Sequence, residues 1–224
     1  MNNVKSLKVD GRSLVYFIIS ILFNTVGNAL TVATNLGSAM WTAASVNVSH
    51  IIPVSFSLIL FVLSCMVIVA NVVILKRFDW RRILGNLMFM IPYSYLMGLF
   101  NAWFIRFGIN SLPLWARIII DLIGVIFMAI AISIYQRVNW ILHPLDDFMQ
   151  ILRFKFFKGN PAFAQWTSYA FPITLIIISV IITHHISAIN IGTIVVILFQ
   201  GTFIGIADKY IFPSLKHQHM EANV

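Results

Sequence analysis

Five polar side chains recur on one face of an otherwise apolar stretch: Ser20, Asn24, Asn28, Thr31 and Asn35. At about 100° per residue they stay within a stripe less than about 90° wide. Amides and hydroxyls of this kind serve one of two ends in a lipid-spanning helix. They hydrogen-bond a neighbouring helix, or they line a wet cavity that accepts a polar small molecule. Further along, Asn86, Tyr93 and Asn101 follow one another at helical spacing, and Thr193, Gln200 and Asp208 repeat the pattern. Asn24, Asn28, Thr31, Asn35, Trp41, Tyr93 and Gln200 are therefore the candidate substrate-binding residues. Packed interhelical contacts are the plainer alternative for each.

Carboxylates are scarce, so their positions carry weight. Asp121 follows Arg117 by one turn in an apolar run, a spacing that suits a local ion pair or a coupling carboxylate. Asp208 sits beside Lys209, where pairing and snorkelling explain it. Asp146 and Asp147 open an amphipathic segment and read as helix caps. No enzyme constellation is evident. The histidines lack zinc-site spacing, the single cysteine, Cys65, lies in an apolar run, and no phosphate-binding glycine loop occurs. No metal, cofactor or nucleic-acid partner is expected.

The elements that must hold these residues are dictated by composition. The chain has 224 residues, 60% hydrophobic and only 10% charged. A water-facing surface needs roughly 25% charged residues or more, so a soluble globule is excluded. Six stretches are long and apolar enough to cross a bilayer: Ser13–Asn35, Phe56–Leu75, Ile83–Phe104, Leu114–Tyr135, Ala164–Thr183 and Ile189–Ala207. Backbone polar groups find no water in hydrocarbon, so each must be helical. The fold class is an all-α polytopic membrane protein.

Fifteen Lys and Arg against seven Asp and Glu leave a net charge of +8. With the N-terminus inside, thirteen of the fifteen cations fall on cytoplasmic segments, leaving only Arg106 and Arg117 outside. The positive-inside bias therefore places both termini in the cytoplasm. Trp41, Trp103 and Trp115 at one edge and Trp80, Trp140 and Trp166 at the other form two aromatic belts. Two longer connections remain. Leu36 to Ser55 fits a short re-entrant or interfacial helix, and Gln136 to Phe163 contains an amphipathic helix expected on the cytoplasmic face.

Both halves share one order: span, short segment, span, span. Gly85, Asn86, Tyr93, Gly98 and Asn101 match Gly192, Thr193, Gln200, Gly205 and Asp208 at a single offset of 107 residues. Three spans per half require the second half to run inverted. The expectation is two inverted three-span repeats, 1–110 and 111–224, around a midplane polar site.

The stretch Gly27-Asn28-Ala29-Leu30-Thr31-Val32-Ala33-Thr34-Asn35-Leu36-Gly37-Ser38-Ala39-Met40-Trp41-Thr42 resembles the first-span signature of YczE/YitT-type bacterial integral membrane proteins. Gly27, Ala29, Leu30, Ala33, Leu36, Gly37 and Trp41 keep that pattern. Met40 stands where the pattern has proline, and Thr42 where it has aspartate. Pro144-Leu145-Asp146 is a partial echo in the second half. The resemblance implies a bacterial cytoplasmic-membrane protein of five or six spans.

These features favour a small-molecule secondary transporter, as a homodimer or compact monomer among membrane lipids. Two alternatives stand beside it. One is a substrate-binding membrane subunit of an energy-coupling-factor importer, docked through the small residues Ala29 and Ala33. The other is a non-transporting accessory protein.

Overall fold

The computed structural model describes residues 11–215. Lys5, Lys8 and Lys216, counted above with the cytoplasmic face, lie outside them. Eight α-helices are formed, with no strand among the described residues: α1 (Gly11–Thr34), α2 (Met40–Ser49), α3 (Phe56–Leu75), α4 (Trp80–Arg106), α5 (Leu114–Val138), α6 (Pro144–Lys155), α7 (Pro161–Thr183) and α8 (Ile191–Tyr210). Six are long and apolar enough to span a membrane. The other two, α2 and α6, are the short helices of the two long connections. The chain is a multi-span, all-α integral membrane protein.

Local chemistry explains where the helices start and stop. Asp79 is the N-cap of α4 and accepts from the amides of Arg81 and Arg82. Ser55 caps α3 through the Leu58 amide. Asn35 and Asn139 both leave a helix in the left-handed region, at φ 52° and 46°, where asparagine is among the most tolerant side chains after glycine.

α1 and α5 form the central pair. Their backbones touch at Gly27 and Gly124: a Cβ on Gly27 would lie 2.6 Å from the Gly124 carbonyl oxygen, and one on Gly124 2.7 Å from that of Gly27. Small residues permit this approach, which brings the gain of close van der Waals packing in lipid. Around the pair, α1 also packs on α4 and α5 on α8. α2 rests on α3 and α7, and α6 on α7 and α3. Outward-facing positions of the spans are apolar, among them Val62, Val69, Ile91, Ile181 and Leu198.

The α6 helix is more deeply packed than its amphipathic pattern alone suggests. Pro144, Asp147, Ile151 and Leu152 are buried, and its first turn enters the bundle beside α4. Its amphipathic pattern was read against water and lipid. In the structure Asp147 meets Arg82 and Asn86 of α4, while Lys155 at the other end of the helix stays exposed.

Candidate functional site

A cavity of about 100 Å³ lies where the first turns of α2 and α6 face one another. Ala39, Met40, Trp41 and Thr42 contribute from one side, and His143, Leu145 and Asp146 from the other. Ala39 and His143 are the N-caps of their helices. They are 104 residues apart, as are Thr42 and Asp146, and as are the left-handed Asn35 and Asn139. The walls come from α1, α3, α4, α5, α7 and α8.

Five of the seven sequence candidates line this space: Asn24, Asn28, Trp41, Tyr93 and Gln200. They are linked. The Asn28 amide nitrogen donates to Asn24 Oδ1 at 2.9 Å, Thr42 Oγ1 donates to Asn28 Oδ1 at 3.3 Å, and Thr42 also meets the Tyr93 hydroxyl. Thr31 and Asn35 lie elsewhere. Thr31 is fully buried and donates to the Asn28 carbonyl at 2.8 Å. Asn35 Oδ1 accepts from the Ala188 amide at 3.0 Å, tying the end of α1 to the loop before α8.

The charged candidates also lie away from the cavity. Among the described residues Arg117 and Asp121 form no ion pair; both bind Thr34. Thr34 Oγ1 donates to Asp121 at 2.9 Å, and Arg117 donates to the Thr34 carbonyl at 3.2 Å. Asp121 also abuts Gly192 at the start of α8, so it answers the N-terminus of that helix. Asp208 accepts from Ser133 at 2.6 Å and pairs with Arg137 at 3.3 Å.

Sequence reasoning did not select Tyr135, His143, Asp146 and Tyr169, all on the cavity wall. Tyr135 donates to Asp146 Oδ2. Asp147, next in sequence, turns the other way and is 1% exposed. It accepts from Arg82 Nε at 2.7 Å and Asn86 Nδ2 at 3.1 Å. The two acids at the start of α6 therefore do different things: Asp147 is saturated by structural donors, whereas Asp146 faces the cavity with one oxygen committed. The signal that would have found Asp146 was the echo at residues 144–146 of the Met40-Trp41-Thr42 position.

Burial raises the Asp146 carboxyl to about 6; the Tyr135 donation lowers it and the neighbouring Asp147 charge raises it. Burial lowers His143 to about 3, so its ring is neutral. His143 Nδ1 accepts from the Leu145 amide at 3.3 Å, which leaves the proton on Nε2. Among the described residues no lysine or arginine lines the cavity. Among the described residues no cluster of metal-ligating side chains occurs.

Fold and cavity together define a multi-span helical membrane protein with an internal polar site. The chain belongs to a family of unknown function, DUF6198, whose model matches residues 11–209, the whole bundle of eight helices but for its last residue. No curated protein and no solved structure matches the chain.

Proposed function

We propose that the protein is a secondary transporter of a small polar molecule. It sits in the bacterial cytoplasmic membrane with both termini inside, as a compact monomer or a homodimer. The carrying observation is that the first turns of α2 and α6 face one cavity from opposite halves of the chain. Most of the packing supports the halves as inverted repeats, although the contact of α3 with α4 has no counterpart of like extent between α7 and α8 among the described residues. Exchanging α1–α4 for α5–α8 maps α1 on α4 to α5 on α8, and α2 on α7 to α6 on α3. Gly85 lies against Ile141, and its counterpart Gly192 against Gly37, which precedes Ile141 by 104 residues. Two near-equivalent halves have inward-open and outward-open forms of similar energy, which is the requirement of alternating access.

The importer-subunit reading is less favoured. Ala29 and Ala33 are 0% and 2% exposed, so their small-residue face is spent on packing within the chain. Solute flux into proteoliposomes under imposed ion gradients tests the transport reading. Flux that Asn28→Leu abolishes supports it. No flux of any solute under any gradient leaves the accessory-protein reading instead. His50 and Gln150 must label from opposite sides; labelling from one side overturns the inverted arrangement.

A further inference from the structure

Two unlike poles face the cavity. The first is the N-terminus of α2. Its N-cap Ala39 offers no side-chain hydrogen bond, and no acid occupies its first turn. Met40, Trp41 and Thr42 are 7%, 6% and 2% exposed, and their amides have no hydrogen-bond partner among the described residues. Buried helix ends are ordinarily satisfied, and unmatched N–H groups carry the positive end of the helix dipole. A second group points to the same place. Asn24, 5% exposed and on the cavity wall, has an amide nitrogen with no partner among the described residues.

The opposite pole is Asp146. The α6 end around it is already answered: His143 takes the Leu145 amide, Pro144 has no N–H, and Asp147 adds a second acid. Tyr135 engages Asp146 Oδ2, leaving Oδ1 open. The aromatic rings of Trp41, Tyr93 and Tyr169 lie on the walls between. One full negative charge set against two partial positive helix ends sums to little net charge. The cavity therefore matches a molecule that carries both signs. Its volume of about 100 Å³ is below the roughly 150 Å³ that admits benzene, so it suits a ligand of about four to six heavy atoms, the size of the smallest α-amino acids.

We infer that the cavity selects a small zwitterion of amino-acid size, its carboxylate on the free amides of α2 with the Asn24 amide and its ammonium on Asp146. This rests on the transport reading for its purpose, but not for its test. Binding to the purified chain in lipid nanodiscs is measured for small α-amino acids, for the amines left by removing their carboxylates, and for the carboxylates left by removing their amino groups. At least one zwitterion binds at least about tenfold more tightly than both of its truncated forms. Asp146→Asn removes that preference.

Ala39→Asp supplies the missing cap and fills the α2 pole. It raises the melting temperature while weakening zwitterion binding at least about tenfold. That combination separates lost binding from lost folding. Equal binding of an amine alone or a carboxylate alone overturns the inference, as does binding of no member of the three sets. If an amine alone binds and is carried into liposomes, the transport reading survives and the zwitterion class falls. If zwitterions bind and none is carried, the reverse holds.

Discussion

Gly37 and Gly192 meet backbone to backbone. A Cβ on Gly37 would come within 2.1 Å of the Thr193 amide nitrogen, and the Gly192 amide donates to the Leu36 carbonyl at 2.8 Å. This contact joins the turn after α1 to the first turn of α8, and so one half of the chain to the other. Gly37 also has φ 151°, a backbone that L side chains rarely adopt. Gly37→Ala should cost more than about 3 kcal/mol, since backbone cannot move aside. Gly192→Ala, which meets the Asp121 carboxylate at 2.1 Å, should cost about 1–3 kcal/mol. Unfolding in detergent gives the order; equal tolerance of both alanines would contradict the packing.

Arg137 is 2% exposed and fastens the C-terminal ends of α5 and α8. It donates to the carbonyls of Ile211 at 2.8 Å, Phe212 at 3.1 Å and Leu215 at 3.2 Å, besides pairing with Asp208. Arg137→Ala strands those carbonyls and should cost about 3–5 kcal/mol. Arg137→Lys should recover little, because an ammonium lacks the planar fork that reaches several acceptors at once. Monodispersity on size exclusion and melting temperature report both.

Asp147 and Arg82 make a pair with one buried and one partly open member, their side chains 1% and 21% exposed. Arg82→Ala should destabilise by roughly 2–4 kcal/mol, chiefly by leaving a buried carboxylate without its strongest donor. Asp147→Asn added to Arg82→Ala should restore part of the loss. Additive costs in the double variant would show that the two side chains do not interact.

Asp146 and His143 give stability opposite slopes with pH. Asp146, raised to about 6, binds its proton more tightly when folded. It therefore favours the folded state below its ordinary range, and that contribution is lost as pH rises through about 6. Asp146→Asn should melt higher than the parent at neutral pH, with the advantage shrinking as pH falls toward 4. His143, lowered to about 3, takes up protons preferentially when unfolded, so the fold weakens as pH falls below about 6.5. His143→Asn, which can still cap α6, should flatten that acid limb. A gain in stability on removing a cavity carboxylate is the usual mark of a group kept for function.

The six spans were legible because their signal is additive: each runs about twenty residues with few charges, and helix ends moved by only a few residues. That Asn24, Asn28, Tyr93 and Gln200 would share one polar space was legible, because apolar surroundings make polar side chains conspicuous. Thr31 and Asn35 shared the stripe but not the cavity, since a helix face wider than the opening also serves neighbouring helices and its own terminus. Asp121 and Arg117 had the spacing for a pair, yet Thr34 from another helix drew both, which periodicity along one helix cannot reveal. Asp146 was misjudged for the same reason. Its neighbours in sequence suit a surface helix, and only the tertiary burial of α6 turns it into a cavity wall.

Alternating access requires that both sides of the membrane reach one site in turn. The direct measurement places a single cysteine at position 28 in a Cys65→Ser background and treats liposomes or inverted vesicles with a membrane-impermeant thiol reagent. Asn28→Cys should react from either face, and locking the protein in one state should suppress reaction from one of them. Reaction from one face alone, under every gradient and ligand condition, would contradict alternating access at this cavity.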